Sequence, residues 1–348
     1  MRKVLAILVV TASLLTTSGA DAKTGSAALA SPTSERARTN FLAFLHHASG
    51  ATPNATFIID PLLRKVYSNQ IAADIRTNAR MWTDLRDPSK PMDVYAAPTQ
   101  HFQFIYDHLK RVLPAQQLES GWLDVKAERA RKESTGFFGG GAPGDAINGN
   151  AVLMVYVPNG RSTNDDHWNS ITSHEYVHIA QRSVFNGSMA AMQCWVREGQ
   201  ANFIGWSYAG RASKSNYVHA WKSQLQDLEN ERPYSPRQRL STKYWESWFI
   251  TNETQDITKV CDATENYVAG AMAFQYLYGT YGYEKVNTFI LELAAAVAPC
   301  GDGTPKYSNT CVPARNSAFE KAFGISLRDA YPRFAAHIVR ELKWFINK

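Results

Sequence analysis

His174-Glu175-Tyr176-Val177-His178 places two imidazoles four residues apart, with a carboxylate beside the first. On a helix, positions i and i+4 stand one above the other on the same face, so both rings reach one cation. Zinc suits such a pair, and the intervening glutamate can take a proton from water at the metal. The motif asks for a helix from Asp165 or Asp166 to about residue 182. Just upstream, Ala151-Val152-Leu153-Met154-Val155-Tyr156-Val157 is a β-prone run stopped by Pro158-Asn159-Gly160, and it reads as a strand.

Further out, the pattern divides at the motif. Residues 57–59 and 92–95 have strand character, and residues 62–85 and 102–112 are spaced as helices. The glycine-rich stretch 136–144 lacks the Gly-Lys-Ser/Thr ending of a phosphate loop and reads as a mobile loop near a cleft. Beyond Asn186-Gly187 the spacing is helical over residues 189–208, 213–228, 235–249, 263–281, 283–297, 313–323 and 326–346. Ser326 with Asp329 has the spacing of a helix N-cap. The expectation is an α+β fold in which residues 36–186 form an α/β N-terminal lobe with a mixed sheet. The motif helix lies at the cleft, and residues 187–348 form an all-helical C-terminal lobe.

Two histidines cannot complete a catalytic zinc site, which needs a third protein ligand and one open position. A third histidine in H-E-x-x-H-x-x-G-x-x-H is excluded, because Gln181 and Val184 occupy the required glycine and histidine positions. Cys194-Trp195-Val196-Arg197-Glu198-Gly199-Gln200-Ala201-Asn202-Phe203 offers Glu198 instead, twenty residues beyond His178.

With these residues the chain resembles a gluzincin, of the peptidase MA-like group that includes the zinc aminopeptidases. Trp195, Glu198, Gly199, Ala201 and Phe203 match that group's W-x-x-E-G-x-A-x-aromatic helix, and Tyr267-Val268-Ala269-Gly270 is similar to its Y-x-x-G helix. The resemblance covers roughly residue 151 to the C-terminus. It implies a zincin-like fold and one Zn2+ per chain, held by His174, His178 and Glu198. It also implies hydrolysis of peptide bonds through zinc-bound water, with Glu175 as general base and Tyr267 as hydrogen-bond donor to the oxyanion. Strand 151–157 would be the edge that pairs with an extended peptide, and Asn202 a partner for a ligating histidine. The aminopeptidases' G-x-M-E-N segment has no counterpart: Ile147-Asn148-Gly149-Asn150-Ala151 carries no glutamate to bind a free amine. An endopeptidase or a specialised hydrolase is expected instead. Two alternatives stay open, a catalytically silent binding module of the cell envelope and a zinc hydrolase of non-peptide amides.

Composition bounds the rest. Hydrophobic residues make up 45 % of the 348 and charged ones 20 %, as in an ordinary globular protein. Met1-Arg2-Lys3, an apolar run to Leu15 and Ala20-Asp21-Ala22 read as a signal peptide, residues 1–22. Its removal implies a secreted or periplasmic protein, with a flexible start over residues 23–35. Without Arg2, Lys3 and Asp21, the 37 basic and 31 acidic residues become 35 and 30, a mild balance of +5. No Lys/Arg-rich run suggests nucleic acid. No segment reaches the roughly 20 apolar residues of a membrane span. The resemblance implies a peptide or protein substrate as the partner. Cys194, Cys261, Cys300 and Cys311 are an even set that allows three pairings. A local Cys300–Cys311 bridge would leave Cys194 for Cys261.

Overall fold

Strand β4 (Ala151–Val157) forms where the β-prone run occurs, and six of its seven residues are buried. Its side chains alternate between two cores, as the two-residue period of a strand requires. Leu153, Val155 and Val157 enter the main core, while Val152, Met154 and Tyr156 enter a smaller one. Burial on both faces explains why the run reads as continuously apolar. Strand β1 (Ala55–Ile59) pairs in parallel with β2 (Met92–Pro98), and β2 in parallel with β4. Strand β3 (Gly139–Asp145) pairs antiparallel with β4 and ends the sheet, whose order is β1-β2-β4-β3. The structure is a computed structural model describing residues 29, 31–46, 50–119, 121–133, 139–160, 162, 165–186, 189, 192–231, 240–253, 261, 264–298 and 311–346. The expected signal peptide and Cys300 lie outside these residues.

The helices divide between the sheet faces. After α1 (Pro32–His46) and α2 (Lys65–Met81), helices α3 (Phe102–Val112) and α4 (Trp122–Lys132) cover the smaller core with Phe102, Ile105, Leu109 and Leu123. The main core lies on the opposite face. It continues through α5 (Asp166–Val184), α6 (Cys194–Ala209), α7 (Lys214–Glu231), α8 (Thr242–Asn252), α9 (Thr264–Tyr281), α10 (Tyr283–Val297), α11 (Cys311–Phe323) and α12 (Leu327–Ile346). The architecture is α+β with a small mixed sheet, as expected. Among the described residues, no helix is long and apolar enough to cross a membrane.

Three expectations need correction. The glycine-rich stretch is a strand from Gly139 onward, not a loop. Strand 151–157 is interior, bonded to β2 on one side and β3 on the other, so it has no edge left for a substrate. And α1 begins at Pro32, inside the stretch expected to be flexible. Its start is held because Ser31 and Ser34 are buried and both donate to Glu341 Oε1 of α12, at 3.0 and 2.6 Å.

Candidate metal centre

Helix α5 starts where the Asp165 side chain accepts the Trp168 backbone N–H, a side-chain N-cap. From there the helix runs beneath the sheet. One of its faces carries His174 and His178 toward α6, and Glu175 lies toward β3. Helix α6 is buried along its whole length except at Arg197, so Glu198 enters the interior as a carboxylate that needs a partner. It meets both histidines: Glu198 Oε2 is 3.2 Å from His178 Nε2 and 3.6 Å from His174 Nε2. The two imidazole Nε2 atoms are 3.1 Å apart.

Three such distances test whether a cation fits. Four ligands at zinc's usual 2.0–2.1 Å in a tetrahedron are about 3.3 Å from one another. The observed triangle matches that spacing. Hydrogen bonding around His178 also prepares it. Gln181 Nε2 donates to the Arg197 carbonyl at 3.1 Å and to Gln200 Oε1 at 2.9 Å, which fixes the amide's orientation. Gln181 Oε1 then accepts from His178 Nδ1 at 3.0 Å, so the proton sits on Nδ1 and Nε2 turns a lone pair toward Glu198. Arg197 Nε donates to Glu198 Oε1 at 2.8 Å, leaving Oε2 for the histidines.

The electrostatics agree. Burial opposes charge on His178, but the Glu198 carboxylate outweighs it and raises the imidazole's pKa. Burial likewise works against the Glu198 charge, yet His178 and Arg197 hold its pKa well below the usual carboxylate range. The pocket therefore calls for positive charge, from a proton or a cation. His174, His178 and Glu198 can hold a metal ion.

Two glycines bring together the helices that carry Glu198 and Tyr267. A Cβ on Gly199 would lie 2.4 Å from the Gly270 backbone, so α6 and α9 touch main chain to main chain. One turn before Gly270, Tyr267 stacks on His174 with ring centres 6.2 Å apart and planes 20° from parallel. The Cys194–Cys261 disulfide ties the start of α6 to the residues that lead into α9. The same pairing was one of those open in the sequence.

Glu175 sits directly under the sheet edge. A Cβ on Gly140 would be 2.5 Å from Glu175 Cγ and 2.8 Å from its Oε1, so only glycine lets β3 approach this closely. Lys126 of α4 donates to the Gly140 carbonyl at 3.2 Å. Gly140, Lys126 and Gln181 are the residues that the sequence reading missed. Glycine inside a strand was the available signal for the first, and Gln181 lies one helical turn past His178. Nothing local points to Lys126. Asn202 makes no hydrogen bond to either histidine; Gln181 does so in its place.

Searches of family models, curated proteins and solved structures gave no match for this chain, so the site rests on its own geometry.

Proposed function

We propose that this chain is a zinc peptidase of the gluzincin kind, with a zincin-like fold. His174, His178 and Glu198 hold the metal, and Glu175 is the general base. One observation carries this reading: the Glu175 carboxylate lies under an edge strand, beside three donors spaced for a tetrahedral cation. When bound, the metal would polarise the scissile carbonyl and make water acidic enough to attack near neutral pH.

The chain's own residues supply the other steps. Among the described residues no strand pairs with the outer edge of β3, so an extended peptide can add there by backbone hydrogen bonds. Lys126 must give up the Gly140 carbonyl as that happens. Glu175, 8 % exposed, takes the proton of the attacking water and passes it to the leaving amine. Tyr267 donates a hydrogen bond to the oxygen that becomes negative as the carbonyl turns tetrahedral. The missing amine-binding glutamate makes cleavage within a chain the fitting mode. The disulfide suits an extracellular location.

The test is to measure metal content and peptide hydrolysis for the wild type, Glu175→Gln and Glu198→Ala. About one zinc per wild-type chain, chelator-sensitive cleavage, and a Glu175→Gln protein that keeps zinc but not activity are expected. A wild-type protein that takes up no metal would sink the reading.

A further inference from the structure

We propose that a second site, in a cavity at the C-terminal end of α5, binds a small oxyanion through Arg86, Lys90 and Arg182. The cavity holds about 210 Å³, room for a carboxylate or phosphate group but small for a drug-sized ligand. It lies below the sheet, at the N-terminal ends of β2 and β4, and is also lined by Asp145, Ile179 and Ser183. Arg182 is seven residues past Glu175, two helical turns further along the same face.

Positive charge is in excess there. Arg86 is 3 % exposed. Its Nη1 donates to the Asp87 carbonyl at 3.2 Å, and its Nη2 to the Lys90 and Pro91 carbonyls at 3.0 and 3.2 Å. Its Nε has no hydrogen-bond partner, and no carboxylate lies within ion-pair distance of it among the described residues. Arg182 Nε is buried without a partner as well. Burial pushes the Arg182 guanidinium down from its ordinary pKa, Asp145 opposes the shift and Arg197 adds to it. Asp145 is exposed, as is Asp87, whose pKa Lys90 and Arg86 help to lower, so three cations face two solvated carboxylates. A buried guanidinium nitrogen without an acceptor is unfavourable, and added negative charge nearby eases it. A bound oxyanion would add charge-assisted hydrogen bonds from the guanidinium and ammonium groups of the residues that line the cavity.

A simpler role exists for each arginine. Arg86 staples the turn before β2, and Arg182 places a cation in the last turn of a helix, where the dipole favours it. Neither role needs a ligand, which makes binding the deciding measurement. It requires no hydrolytic activity, so it stands or falls apart from the metal centre.

The experiment is calorimetric titration of the full chain with inorganic phosphate at constant ionic strength, repeated with Arg182→Gln and Lys90→Gln. A parallel arm uses a short peptide with a free C-terminal carboxylate and the same peptide amidated. Saturable one-site phosphate binding, weakened at least about tenfold in Arg182→Gln, is expected. Competition by the carboxylate peptide but not its amide would identify a peptide end as the ligand. No competition would identify a free tetrahedral anion, and both outcomes support the site. Failure of the wild type to bind either probe, or undiminished binding in Arg182→Gln, overturns it. Arg86 is left unaltered because its loss removes the turn as well as the charge.

Discussion

His178 meets Glu198 at 3.2 Å, and His337 stands 3.8 Å from Glu341. Both histidines are buried beside buried glutamates, yet their pKa values move in opposite directions. Glu341 accepts hydrogen bonds from Ser31 and Ser34, and burial raises its pKa. His337 has both nitrogens occupied in its neutral form. Nε2 donates to Gln275 Oε1 at 2.9 Å, and Nδ1 accepts from Arg340 at 3.1 Å. Burial, assisted by Arg340, lowers its pKa to about 3. At Glu198 the remaining oxygen faces two imidazole nitrogens, at 3.2 and 3.6 Å, and a proton or a cation can complete that contact. What sets the candidate metal site apart is a triangle of three close donors, not the pair of residue types.

Substitutions can break that contrast, beginning at the metal side. Glu198→Ala is expected to abolish stoichiometric zinc, read by elemental analysis, because two histidines alone hold it poorly. Glu175→Gln should retain zinc while hydrolysis falls by about 10²- to 10⁴-fold, the usual worth of a general base.

At the second pair the sign is set by linkage. The folded-state pKa of His337, about 3, lies below its ordinary 6.5, so the folded chain binds fewer protons between these values. Its contribution is complete above pH 6.5 and is lost as pH falls. Glu341 works the other way, since a raised pKa favours the folded chain on protonation. Comparison of wild type with His337→Gln by chemical denaturation isolates the histidine. The decline in stability from pH 7 to pH 4 should shrink by roughly 3 kcal/mol.

Two smaller effects sharpen the comparison. Gln181→Leu removes the acceptor that keeps the proton on His178 Nδ1, and zinc affinity should drop about 10- to 100-fold in a chelator competition. Ser34→Ala removes one donor to Glu341 while Ser31 remains. Denaturation should show a loss of about 1 kcal/mol with metal content unchanged.

Much of the site is legible in the sequence because its spacing is local. The i, i+4 histidines, the β-prone run at 151–157 and the helix around Glu198 each carry their own period. Strand β3 escaped notice because glycines have no side chains to alternate, and its reason for being glycine lies across space in Glu175. Helix α4 escaped because it is mostly polar, with only Leu123 and Ala130 buried. The two-glycine crossing of α6 and α9 explains a motif that sequence alone shows only as recurring letters.

The Cys194–Cys261 bond spans 67 positions, and in the chain-entropy account closing such a loop lowers the unfolded chain's freedom by about 4 kcal/mol. Glu198 stands four residues after the first cysteine and Tyr267 six after the second, so both are carried by the anchored ends. The oxidation state of the chain thus bears on the candidate site: a reduced molecule starts with less stability where Glu198 and Tyr267 approach the two histidines.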